Sequence, residues 1–133
     1  MQAKWKLFLI GIVGGIAGFG SSTVAAATEL TIHLDGSQPI SRQTVQYQCN
    51  AQGVAMGLPV TSFSVEYIDG AGNSLVIVPI HGTSLIFANM SSASGARYAS
   101  GPYTWWEAGS AVNFYSDSLA GKMQSSCHRL STR

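Results

Sequence analysis

The chain has 133 residues and a formal net charge of +1, with 10% charged and 46% hydrophobic residues. That length holds one domain, and the balance offers no basic surface for a nucleic-acid backbone. The composition also excludes an acidic disordered solvator and a coiled coil, while 15 glycines point to many turns.

Residues 1–27 have the pattern of a secretory signal. Lys4 and Lys6 form a positive start, and Leu7 to Phe19 is an apolar stretch of 13 residues. Small residues follow, ending in Ala25-Ala26-Ala27 before Thr28, an A-x-A cleavage site. A membrane span needs roughly 20 apolar residues, and five glycines lie between Gly11 and Gly20. Cleavage is therefore expected, with a single domain over residues 28–133. No cysteine precedes Cys49, so lipid attachment at the cut is not expected and the mature form carries no membrane anchor. Cleavage leaves 106 residues and removes Lys4 and Lys6, so five Lys and Arg face six Asp and Glu, a net charge of −1. Such a charge steers partners weakly in either direction.

A domain of this size buries a small core and gains from a staple. Cys49 and Cys127 are its two cysteines, and export places them where disulfides form. Their separation of 78 residues puts the stabilisation at about 4–5 kcal/mol in the chain-entropy account.

In chain order, Leu30 to Leu34 is a first candidate strand. Val45, Tyr47 and Cys49 alternate with Gln46 and Gln48, and Phe63, Val65 and Tyr67 alternate with Ser64 and Glu66. This period of two marks half-buried strands. Asp69 to Asn73 is a turn, and Leu75 to Ile80 an apolar strand whose Pro79 marks its end or a sheet edge. His81-Gly82 is another turn, with His81 exposed, before Leu85-Ile86-Phe87. Tyr103 to Trp106 and Ala111 to Tyr115 are further strands, separated by Glu107-Ala108-Gly109. From Ser116 the chain is polar until Cys127 and is expected to be a loop tied back to the Cys49 strand. No stretch sustains a helical period. Short strands spaced by turns predict an all-β antiparallel sandwich or small barrel.

Signs of catalysis are thin. His33, His81 and His128 have no metal-ligand spacing, so no metal or cofactor is expected. Ser94-Gly95 lacks the G-x-S-x-G frame of a nucleophile elbow, and the acids show no pairing suited to a glycosidase. The chain is not expected to be an enzyme. Ser91 to Pro102, reading SSASGARYASGP, holds nothing aliphatic larger than alanine, yet carries Arg97 and Tyr98. An arginine and a tyrosine exposed on a compact loop have the composition of a binding hot spot. The alternative places Tyr98 at a strand start with its ring in the core, and both readings stay open. Trp105 and Trp106 are adjacent, so on a strand they face opposite sides. One belongs to the core; the other packs beneath a loop or is exposed to a ligand such as a sugar.

Tyr47-Gln48-Cys49, Val65-Glu66-Tyr67, Ser92 to Tyr98, and Trp106 followed by Gly109 resemble, in order and spacing, the bacterial inhibitors of C-type lysozyme. The resemblance runs from Val45 to Phe114. That family has a membrane-bound lipoprotein branch (MliC) and a periplasmic branch (PliC), and the missing anchor cysteine is similar to the latter. The resemblance implies an eight-stranded antiparallel barrel in the periplasm that inserts a loop into the lysozyme cleft. It further implies that a serine of an S-G-x-x-Y motif, here Ser94 with Gly95 and Tyr98, approaches the two catalytic carboxyl groups of the enzyme. A lysine of a Y-x-x-x-T-K-G motif does the same. That second motif falls on Tyr103 to Gly109, where Glu107 replaces the threonine and Ala108 the lysine.

The departure has a physical consequence. A lysine compensates negative charge in a desolvated cleft, where pairing counts for more than in water. Alanine cannot, and Glu107 pointing at the enzyme would repel it. Arg97 is the nearest cation and has the fork to reach a carboxylate bidentately. Ser94, Arg97 and Tyr98 are therefore expected to carry most of the contact, with Gly95 letting the backbone approach closely. Two other classes compete with the inhibitor: a glycan-binding barrel using the tryptophans, and a structural envelope protein. A monomer and a homodimer are both compatible with the sequence.

Overall fold

The computed structural model describes residues 27–118 and 121–131, together with Gly14, Gly15 and Gly20. Apart from those glycines and Ala27, the leader expected over residues 1–27 lies outside the described residues. The chain divides into Met1–Ile32 and His33–Arg133. In the first unit, residues 27–32 are exposed without regular secondary structure. The second unit holds a closed barrel of eight antiparallel strands in sequence order. These are β1 (Ser41–Cys49), β2 (Phe63–Gly70), β3 (Asn73–Ile80), β4 (Thr83–Met90), β5 (Ala96–Ser100), β6 (Tyr103–Ala108), β7 (Ala111–Ser118) and β8 (Gly121–Arg129). A short helix, α1 (Ala51–Ala55), follows β1. Cys49 and Cys127 face each other where β1 pairs with β8, and their disulfide staples the seam that closes the barrel.

The alternating segments form strands for the expected reason. Val45, Tyr47, Phe63, Val65 and Tyr67 point inward and are buried, as are Val76, Val78 and Ile80 in β3. His81 and Gly82 both take positive φ, 51° and 73°, the backbone of a tight primed hairpin turn. Pro79 pairs with Ser84 of β4 but lies past Ile77, the last residue of β3 paired to β2. It therefore removes no ladder bond on the β2 side.

Three expectations change, and one short helix is added. Leu30 to Leu34 is not a strand: Leu30, Ile32 and Leu34 are 65%, 56% and 47% exposed. Alternation alone does not make a strand when no neighbour takes its backbone hydrogen bonds. Glu107 and Ala108 belong to β6, paired with Val112 and Ala111, and the turn is Gly109-Ser110. The polar stretch after Ser116 is not a loop, since β7 continues to Ser118 and β8 begins at Gly121. Its inward positions include Ser116 and Ser125, 6% and 3% exposed; small hydroxyls fill the interior there, so the hydrophobic alternation disappears while the ladder persists. Finally, α1 is too short to display a helical period. It is set by Asn50, whose side-chain oxygen accepts a hydrogen bond from the Gly53 N–H at 3.2 Å.

The centre of the barrel is aromatic. Trp105 is fully buried, meets Tyr47 edge-on at 5.2 Å and lies 6.1 Å from Phe114. A polar chain threads this core. Trp105 Nε1 donates to Tyr67 Oη at 3.0 Å, Tyr67 and Tyr47 hydroxyls are 2.9 Å apart, and Tyr47 Oη donates to Glu107 Oε1 at 3.4 Å. The indole can only donate and the carboxylate accepts, so Tyr67 donates to Tyr47 and the chain runs one way, from the core outward to Glu107.

The strand order sorts the loops into two groups. The Ala71-Gly72 turn, the loop over residues 91–95 and the Gly109-Ser110 turn lie at one end. Helix α1, the His81-Gly82 turn and the Gly101-Pro102 turn lie at the other.

Candidate functional site

Ser94 is brought to β6 at the first end because β5 and β6 pair from Ala96–Glu107 to Ser100–Tyr103. This places the 91–95 loop beside the end of β6. Gly95 fastens the contact. Its φ is +65°, and a Cβ there would collide with the Glu107 carbonyl oxygen. Gly95 thus serves a close approach inside the molecule, between loop and strand. The close backbone approach expected at Gly95 is made against β6.

Trp106 supplies the next two fixings. Its side chain points outward, opposite to Trp105, and its Nε1 donates to the Ser94 carbonyl oxygen at 3.0 Å. Arg97, its cross-strand partner, lies over the indole with the guanidinium carbon 4.3 Å from the ring centroid. The Ser92 hydroxyl donates to the same Ser94 carbonyl. Ser94 itself is exposed. The loop therefore holds its serine out on a backbone pinned by an indole N–H, a serine hydroxyl and a glycine that fits against β6.

Arg97 is half-buried, and its Nε is buried without a hydrogen-bond partner. It makes no ion pair with any described residue. Stacking removes part of its rotamer freedom and keeps its charge, the condition in which a guanidinium is ready for a carboxylate.

The structure decides between the two readings of Tyr98: its ring is in the core, 6% exposed. It meets the Tyr67 ring in a T-shaped contact with centroids 6.2 Å apart, and its hydroxyl lies 3.3 Å from Ser74 Oγ. Burial pushes its phenol pKa upward. Tyr98 positions the strand that carries Arg97 and is not part of the exposed surface. Tyr103 is likewise away from the loop, at the opposite end of β6, stacked on Phe114 at 5.6 Å. Ala108 is half-buried beside the turn.

Glu107 points into the barrel mouth, away from Ser94, as its alternation with Trp106 requires. It lines a cavity of about 320 Å³ with Tyr47, Ser110, Val112, Arg129 and Leu130. Sequence reasoning missed this cavity, since Tyr47, Glu107 and Arg129 lie far apart along the chain and are joined by barrel closure.

A family model, the membrane-bound lysozyme inhibitor of C-type lysozyme, matches residues 47–121. The chain is also 36% identical over 123 residues to the Pseudomonas aeruginosa protein of that name, covering 91% of each. This chain belongs to the family of lysozyme inhibitors of C-type lysozyme. A Cupriavidus necator protein of the same name is 33% identical over 76 residues, 57% of this chain and 54% of that protein. The crystal structure of Pseudomonas aeruginosa MliC in complex with hen egg white lysozyme superposes with a TM-score of 0.62. It is 30% identical and covers 80% of this chain and all of that one. Although the relatives are called membrane-bound, among the described residues no helix is long and apolar enough to cross a membrane.

Proposed function

We propose that this protein inhibits a C-type lysozyme by occluding its cleft with the 91–95 loop, without chemistry of its own. The observation that carries this reading is the fixed cluster of exposed Ser94 with half-buried Trp106 and Arg97 at one barrel end. Lysozyme needs one protonated and one ionised carboxyl group with room for a sugar between them. A rigid loop hydrogen-bonding there excludes the sugar. Arg97 takes the part that a lysine at position 108 plays in the family pattern: it brings a cation to the enzyme's carboxylates. Prior fixing by Trp106 lowers the ordering cost of binding.

The relatives named as lysozyme inhibitors and the neighbour solved with lysozyme support this reading. We place the mature protein in the periplasm, released from its leader, because residues 1–27 have the signal pattern and no cysteine precedes Cys49. A glycan-binding role has less support: Trp105 is fully buried and one face of Trp106 is covered by Arg97.

The test is to mix the purified mature protein with hen egg white lysozyme and follow cell-wall lysis and complex formation. Inhibition with a stable complex is expected. No complex at micromolar protein would overturn the proposal.

A further inference from the structure

The Glu107 carboxylate stands in an unusual position. It is half-buried at the barrel mouth, faces a cavity of about 320 Å³, and receives a long hydrogen bond of 3.4 Å from Tyr47. Among the described residues, no lysine, arginine or histidine nitrogen lies within 4.0 Å of it. A partly desolvated carboxylate gains most from a cation placed directly against it. The cavity is lined by Gly109 and Ser110, the turn at the same end as the 91–95 loop, so a protein docked on that loop meets the same end of the barrel.

We propose that the Glu107 cavity is a subsite for one cationic side chain, a lysine ammonium or an arginine guanidinium, of the docked lysozyme. This rests on the inhibitor reading. The walls suit such a guest: Val112 and Leu130 line an apolar flank for the alkyl stem, and Glu107 receives the charged head. The one-way chain from Trp105 through Tyr67 and Tyr47 ends on this carboxylate, so its anchoring oxygen is held from within.

Arg129 also lines the cavity, exposed and drawn first to the Tyr47 hydroxyl and also to the Glu107 carboxylate, both of which raise its pKa, so a cationic guest competes with it for Glu107. It opposes a cationic guest and would attract an anionic one. That opposition makes the sign of the occupant measurable. The docking end then carries Arg97 for a carboxylate and Glu107 for a cation, a two-sign pattern suited to selecting one partner orientation.

The experiment measures binding of hen egg white lysozyme to wild type, Glu107→Gln and Arg129→Gln, with thermal unfolding to show that each variant is folded. Glutamine keeps an acceptor for Tyr47 and removes the charge. The expected result is about tenfold weaker binding for Glu107→Gln, the loss of one partly desolvated charge pair, with equal or tighter binding for Arg129→Gln. Unchanged or tighter binding of Glu107→Gln overturns the proposal. Weakening in both variants also overturns it, because the occupant then uses both charges. A second arm titrates n-butylammonium chloride into the protein alone, with sodium butyrate as control, and follows the backbone amide signals of Glu107 and Val112. Saturable shifts with the ammonium that vanish in Glu107→Gln support a cation site, and their absence overturns it. If wild type binds no lysozyme, the inhibitor reading fails and this arm decides the cavity separately.

Discussion

Arg97 and Trp106 are cross-strand partners on the outer wall, with the guanidinium carbon 4.3 Å from the indole centroid. The same indole holds the Ser94 carbonyl. One aromatic side chain thus fixes both the cation and the loop, so the two should not act independently in binding.

Arg97→Ala is expected to weaken lysozyme inhibition by about tenfold or more, in keeping with loss of a desolvated charge pair. Trp106→Phe keeps a ring under Arg97 but loses the donor to Ser94, and should weaken inhibition less than Trp106→Ala. Inhibition constants for the Arg97→Ala and Trp106→Ala single and double variants should show coupling on the order of 1 kcal/mol. Strict additivity would show that the stack plays no part in binding, and an unchanged constant for Arg97→Ala would remove its assigned role.

Gly95→Val is a structural lesion. A β-branched residue at φ +65° is strained, and its Cβ meets the Glu107 carbonyl. A cost of about 2 kcal/mol or more is expected from backbone strain alone. Chemical denaturation should therefore show a folding loss alongside the loss of inhibition. Normal stability with lost inhibition would return Gly95 to a contact role.

Removing the staple with Cys49→Ser and Cys127→Ser together should cost about 4–5 kcal/mol, the chain-entropy value for this span. The staple lies on the seam where β1 meets β8, paired from Tyr47–Arg129 to Cys49–Cys127, and its removal frees the unfolded chain. Equilibrium denaturation of the oxidised wild type against the double variant measures the cost.

The Tyr67 phenol is raised far above its ordinary value of 10.0, first by burial and then by its hydrogen bond with Tyr47. The sign follows directly: the unfolded chain releases this proton near pH 10 while the folded chain retains it. Its contribution is complete below about pH 10 and is lost as pH rises further. Thermal midpoints should therefore fall steeply above pH 10. Tyr67→Phe should flatten that fall while lowering stability at neutral pH by about 1–3 kcal/mol, since Trp105 loses its buried acceptor. An unchanged alkaline slope would show that Tyr67 does not govern it.

Much of the barrel was legible because its inward positions are apolar at a period of two: Val45 and Tyr47, Phe63 to Tyr67, Val76 to Ile80. The pattern failed where the interior is lined by serine, at Ser116 and Ser125, and where alternation had no partner strand, at Leu30 to Leu34. Ser94 and Arg97 were readable as an exposed serine and an available cation. The side on which Glu107 falls was not, because a turn placed after Trp106 hides the parity that β6 keeps through Ala108, and Tyr98 sits in β5, ARYAS, whose small residues show no apolar alternation.

Composition, periodicity and the two cysteines by themselves determined an all-β domain and its main strands, and the motifs from Tyr47 to Gly109 carried its resemblance to the family, since these depend on neighbours along the chain. Tertiary structure alone decided which residues act together. Barrel closure, a relation between strands distant in sequence, brings Arg129 to Tyr47 and Glu107, while the pairing of β5 with β6 sets Gly95 against Glu107 and stacks Arg97 on the outward Trp106.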